Sequence, residues 1–157
     1  MDSKSISISE IAQKLEYYSS YQERCHVEVN EKLKEFAISS EEKNQIIVHL
    51  INENFLNEER FALAFSIGKF HQKKWGKIRI KSELKVRKIS DYLITKSLKE
   101  IPETEYETTF KLLAEKNWDA ITEKNALKKR KKCCDYLLRK GWESNLVYEK
   151  VKQLENQ

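Results

Sequence analysis

The stretch IKSELKVRKISDYLITKSL (80–98) decides the fold, because the chain spells its apolar pattern three times. Ile80, Leu84, Ile89 and Leu98 stand four, five and nine residues apart. The same spacing recurs in VNEKLKEFAISSEEKNQII (29–47) as Val29, Leu33, Ile38 and Ile47, and in CCDYLLRKGWESNLVYEKV (133–151) as Cys133, Leu137, Trp142 and Val151. The copies lie 51 and 53 residues apart, and a serine able to cap a helix follows the third position in each: Ser39 or Ser40, Ser90, and Ser144. The first two positions share one helical face, a turn apart. The third closes the turn into a second helix, whose inner face carries the fourth. A further helical stretch precedes each pair, from Ile8 to Tyr18, Glu58 to Phe70 and Glu105 to Glu115, so the unit is three helices. One unit of about 50 residues buries too little to stand alone, and neighbours must cover one another. The expectation is an all-α fold: three tandem three-helix repeats in an elongated, curved array, spanning 8–54, 57–101 and 104–155.

The remaining composition agrees. Among 157 residues there are three glycines and one proline, too few for a sheet of many short strands. An apolar share of 39% with 35% charged residues implies a thin core and much surface. No apolar run exceeds about five residues, against the roughly 20 that span a bilayer, and no signal-like N-terminus is visible, so a soluble, cytoplasmic protein is expected. Cys25, Cys133 and Cys134 form no CxxC pair and read as reduced thiols. Helix starts are marked by the capping-box spacings Ser7-x-x-Glu10, Ser39-x-x-Glu42 and Thr104-x-x-Glu107, by Asn57 before Glu58 and Glu59, and by Ser90 before Asp91. Because Cys133 and Trp142 occupy anchor positions of the repeat, both are expected in the core rather than in a site.

Charge is unevenly placed. Residues 1–66 hold 7 Lys/Arg against 12 Asp/Glu, a net of −5, whereas residues 67–157 hold 23 against 13, a net of +10. Such a field attracts and orients a negative partner. KKWGKIRIKSELKVRK (73–88) carries eight basic residues and one acid, and on an ideal helix Lys74, Lys77, Lys81, Lys85 and Lys88 fall in one stripe bordering Ile80 and Leu84. Their stems can cover the core edge while the amines stay wet. The third unit adds KKRKK (128–132) and Arg139-Lys140. Through the repeat, Lys77 matches Arg130, Arg79 matches Lys132 and Arg87 matches Lys140, where the first unit has His26, Glu28 and Phe36. Stacked units are expected to set these positions side by side as a band, with Trp75 either exposed in it or filling the gap above Gly76. The candidate binding residues are therefore Lys74, Lys77, Arg79, Lys81, Lys85, Arg87, Lys88, Arg130, Lys132, Arg139 and Lys140.

Catalytic chemistry has no visible seat. His26, His49 and His71 lack ligand-like spacing, the glycines are isolated, and Glu58 and Glu59 read as helix-start acids rather than an acid and base pair. No catalytic residue, metal or cofactor is expected.

NEERFALAF (57–65) followed by WGKIRIKSELKVRKI (75–89) resembles the most recognisable part of the RecX regulators of bacterial RecA recombinase. That pattern is an acidic helix start, Arg-Phe-Ala, then Gly-x-x-Arg-Ile-x-x-Glu-Leu; here it is Glu58, Glu59, Arg60, Phe61, Ala62, then Gly76, Arg79, Ile80, Glu83, Leu84. YLLRKGWESNLVYEKVKQL (136–154) is similar to the family's C-terminal unit. Two positions depart from the pattern: Asn57-Glu58 stands for an Asp pair, and Lys88 for a Gly. The resemblance implies an elongated helical protein acting in DNA repair, recombination and the SOS response, which binds the RecA filament and restrains recombinase and ATPase activity, with direct DNA binding in some members. The partner it implies is the RecA filament, with single- or double-stranded DNA, for a monomer without membrane contact. A free-standing DNA- or RNA-binding module and a scaffold for some acidic protein remain open alternatives at this point.

Overall fold

The computed structural model describes residues 7–157, and these form nine α-helices and no strand. They are α1 (Ile8–Tyr21), α2 (His26–Leu33), α3 (Ser40–Asn52), α4 (Glu58–Lys73), α5 (Lys77–Val86), α6 (Asp91–Leu98), α7 (Glu103–Ala120), α8 (Ala126–Arg139) and α9 (Ser144–Glu155). Each helix packs chiefly on the two others of its own consecutive triplet, α1 to α3, α4 to α6, or α7 to α9.

Local chemistry sets the helix starts. Ser39 and Glu42 form a full capping box, with the Ser39 Oγ accepting the Glu42 N–H at 3.1 Å and the Glu42 carboxylate accepting the Ser39 N–H at 2.9 Å. Ser7, Asn57, Ser90 and Asn125 each accept one backbone N–H in the same way. Such a cap contributes about 1 kcal/mol. Two expected caps shift. Pro102, not Thr104, is the N-cap of α7, because its restricted φ already suits entry to a helix, and Thr104 lies inside the first turn. Glu143, not Ser144, caps α9, and it does so without a side-chain bond.

The repeated anchors largely form the core. Val29, Leu33, Ile80, Leu84, Ile89, Cys133, Leu137, Trp142 and Val151 are buried, Trp142 to 1% exposure. Three of the twelve anchors are exceptions, since Ile38, Ile47 and Leu98 are only half-buried. Three residues beyond the fourth anchor, Leu50 in α3, Ile101 just after α6 and Leu154 in α9 are buried. Each fully buried aliphatic side chain contributes about 1.5–3 kcal/mol.

The interior is divided. Ile11, Leu15, Val29, Leu33, Ile46 and Leu50 of the first unit, with Leu56 from the connection to α4, form one core. A second core is continuous through the other two units, from Phe61 to Leu154, and from the first unit it takes only Cys25, with Val27 packed against it. The last two units thus share one interior and the first is a separate body plugged into it. That junction is also polar: Glu58 accepts the His26 N–H at 3.0 Å, and Arg60 donates to Glu23 at 2.6 Å and to the Asn54 carbonyl at 3.0 Å.

Candidate functional site

Gly76 and Gly141 bring the second and third units into backbone contact. A Cβ on Gly76 would stand 2.4 Å from the Gly141 carbonyl oxygen, and one on Gly141 would stand 2.2 Å from the Arg79 Cβ. The absence of side chains lets the two turns hydrogen-bond directly. The Gly76 N–H donates to the Lys140 carbonyl at 2.9 Å, and the Ile78 N–H to the Gly141 carbonyl at 3.0 Å. The Trp142 indole N–H reaches the Lys74 carbonyl at 3.2 Å, and the Lys77 N–H reaches the Tyr106 hydroxyl at 2.8 Å, which in turn donates to Glu143 at 2.6 Å. Burial, and then the bond to Glu143, push the Tyr106 hydroxyl well above the usual tyrosine range, so it stays a protonated donor.

This joint gathers cations. Arg79 donates to the Arg139 carbonyl at 3.3 Å, and Lys140 Nζ donates to the Lys73 carbonyl at 2.9 Å. Lys73, Lys74, Lys77, Arg79, Arg139 and Lys140 all stand on these two turns and their margins, and among the described residues none of the six forms an ion pair with a carboxylate. Lys140 is held below the usual lysine range, first by burial and then by repulsion from Arg79 and Lys73. An anion arriving there relieves that repulsion. The first N–H groups of α5 are already taken by the third unit, so an anion would meet side chains rather than the helix end.

The other candidate cations are spent differently. Arg130 is bound to Glu155 through two nitrogens, Lys132 lies 3.5 Å from Glu123, and Lys131 lies 2.8 Å from Asp135. Arg87 bonds both the carbonyl and the carboxylate of Glu83, and Lys85 lies 3.9 Å from Asp91. Lys81 and Lys88 are exposed and form no ion pair among the described residues. The expected single stripe is broken at both ends, because Lys74 and Lys88 lie outside α5 in left-handed conformation, at φ 58° and 60°. Of one matched pair, Arg79 meets Arg139 and Lys140, while Lys132 turns to Glu123. Trp75 is half-buried, edge-on to Phe65, with the Arg79 guanidinium 4.2 Å above its ring. Lys73 escaped the sequence reading because it lies off the helical arc, although its carbonyl anchors Lys140.

The thiols are core groups. Burial raises the pKa of Cys133 to about 11 and also raises that of Cys25 and Cys134. The described residues hold no cluster of His, Cys, Asp or Glu suited to a metal, and no helix among them is long and apolar enough to cross a membrane.

The motif residues at 57–89 owe their pattern to these joints: Arg60 bridges to the first unit, Phe61, Ala62, Ile80 and Leu84 fill the core, and Gly76 and Arg79 meet the third unit. Comparison with known proteins points the same way. Residues 57–98 match the family described as RecX, second three-helix domain. The chain is 23% identical over 140 residues to a regulatory protein RecX of Bacillus thuringiensis (strain Al Hakam), covering 89% of this chain and 52% of that protein. It is 24% identical, with the same coverage, to one of Bacillus cytotoxicus. The chain thus spans about half the length of the curated relatives it matches. A crystal structure of RecX from Lactobacillus salivarius superposes with a TM-score of 0.78 at 24% identity, over 96% of this chain and 97% of that one. A second crystal structure, of regulatory protein RecX, gives 0.80 at 22% identity over 93% and 71%. These establish an all-helical fold shared with RecX proteins.

Proposed function

We propose that the chain acts as RecX proteins do, as a non-enzymatic regulator that binds the RecA–DNA filament and restrains its recombinase and ATPase activity; the match of residues 57–98 to the second three-helix domain of RecX and the shared fold support this reading. The supporting observation is the joint: six cations without carboxylate partners among the described residues, on two turns locked by backbone hydrogen bonds. A polyanionic surface is the partner such a cluster fits, because its charge is preorganised and unneutralised.

In this reading the chain acts as a cytoplasmic monomer of three repeats, 8–54, 57–101 and 104–155. Lys74, Lys77, Arg79, Arg139 and Lys140, with Lys73, make the main contact. Lys81, Lys85, Arg87 and Lys88 extend it along and beyond α5. Arg130 and Lys132 contribute least, since Glu155 and Glu123 compete for them. The same cluster also favours a second reading, a free-standing nucleic-acid-binding module, because phosphates suit it as well as an acidic protein face does.

One experiment separates the two. The chain is titrated into the single-stranded-DNA-dependent ATPase of RecA, beside a binding assay on the same DNA alone. A fall in ATPase at concentrations that leave free DNA unbound supports the filament regulator. Tight, steeply salt-dependent DNA binding with unchanged ATPase rejects it for the module.

A further inference from the structure

The first unit carries a groove whose chemistry the joint does not use. It runs between α1 and the end of α2 and encloses about 830 Å³. Tyr17 and Tyr21, one turn apart, line it at 73% and 71% exposure. Tyr18 and Phe36 are half-buried beside them. The Arg24 guanidinium lies 3.7 Å over the Tyr18 ring, with its Nε donating to the Tyr18 carbonyl at 3.0 Å, and its terminal nitrogens make no hydrogen bond among the described residues. Lys32 sits 5.6 Å from the same ring, and Lys14 is a further lining cation.

The core of the unit is complete without Tyr17 and Tyr21. Large aromatic rings exposed beside an arginine are the residue types that dominate binding energy at protein interfaces.

Resting on the functional reading above, we propose that this groove docks a helical segment of the RecA protomer itself, one presenting an aliphatic or aromatic stripe with a carboxylate set against Arg24. Length and charge on the page support that occupant. From Glu10 to Tyr21 the α1 wall is three turns, about 17 Å, which matches a short amphipathic helix laid in a groove. Of the two acids in the lining, Glu35 already pairs with Lys32 at 3.1 Å, and neither Arg24 nor Lys14 forms an ion pair with a carboxylate among the described residues. A nucleic-acid strand fits less well. Residues 1–66 carry a net charge of −5, so a phosphate backbone would approach an opposing field. The joint would then take the polyanion and the groove the protein, and two linked contacts bind far more tightly than either alone.

The test uses the full chain as wild type, as Tyr17→Ala/Tyr21→Ala, and as Tyr17→Phe/Tyr21→Phe. Binding is measured to RecA without DNA, to the RecA filament on single-stranded DNA, and to that DNA alone. Thermal melts matching the wild type are expected, because both rings are exposed. The alanine pair should bind both RecA forms at least about tenfold more weakly with DNA affinity unchanged, and the phenylalanine pair should stay close to wild type. Unchanged RecA affinity in the alanine pair overturns the groove assignment alone. Loss of DNA affinity in that pair overturns it in favour of a base-stacking platform. A wild-type chain that binds neither RecA form removes the functional reading, and the groove proposal with it.

Discussion

Gly76→Ala tests whether the second and third units are one body. The added methyl carbon would sit 2.4 Å from the Gly141 carbonyl oxygen, 2.5 Å from its carbon and 2.7 Å from the Trp142 Cα, where ordinary contact begins at 3.4 Å. All three obstacles are backbone, so the turns must separate by about 1 Å. That movement breaks the Gly76 to Lys140 and Ile78 to Gly141 backbone bonds and the Trp142 indole bond to Lys74. At about 1 kcal/mol each, the loss is about 3 kcal/mol out of a total of about 5–15. The expected fall in Tm is about 6–12 °C for a chain of this size. Gly68→Ala is the matched control, because its Cβ meets nothing within 4 Å and it lies inside α4. It should gain about 0.5–1 kcal/mol from helix propensity. Hydrogen exchange localises the effect: Gly76→Ala should lose protection in α5, α8 and α9, while α1 and α3, built on a separate core, keep theirs. A Gly76→Ala chain as stable as the wild type, or one that loosens α1 and α3 equally, would refute the reasoning.

Further outcomes follow from the same contacts. Gly141→Ala should destabilise more than Gly76→Ala, because its φ of +98° adds backbone strain to the clash with Arg79, and denaturant melts will rank the two. Lys88→Gly should stabilise by about 1 kcal/mol, since φ is 60° there and a side chain is disfavoured, as read from the same melts. Arg139→Gln should lower the slope of log affinity for DNA against log salt by about one phosphate contact, whereas Lys132→Gln should leave it nearly unchanged because Glu123 already holds that amine.

The helical repeat was legible because burial imposes a period on the sequence, and Val29, Ile80 and Cys133 share one environment despite different chemistry. The anchors Ile38, Ile47 and Leu98 are only half-buried, whereas Val151 at the fourth position is buried. Apolar residues occupy both Ile46 and Ile47, and only the rotation of α3 on α1 decides which turns inward. The list of candidate cations could be read from composition. Their sorting could not, because Arg130 and Lys132 are neutralised by Glu155 and Glu123, and Glu155 lies 25 residues from Arg130. Likewise nothing local to Gly76 announces Gly141, although their contact creates the joint. Trp75 was ambiguous for a related reason: its ring is covered by Arg79 of the following helix, which a linear pattern does not reveal.

The central claim is that the unpaired cations of the joint engage the RecA filament, and it is tested most directly by Lys73→Glu/Arg139→Glu in the RecA ATPase assay on single-stranded DNA. Neither side chain forms an ion pair among the described residues, so the fold should survive, as circular dichroism and the melt will check. The account predicts that the wild-type chain suppresses ATPase and that the folded double variant needs at least about tenfold more protein for the same suppression. Suppression by the double variant at the wild-type concentration would contradict it.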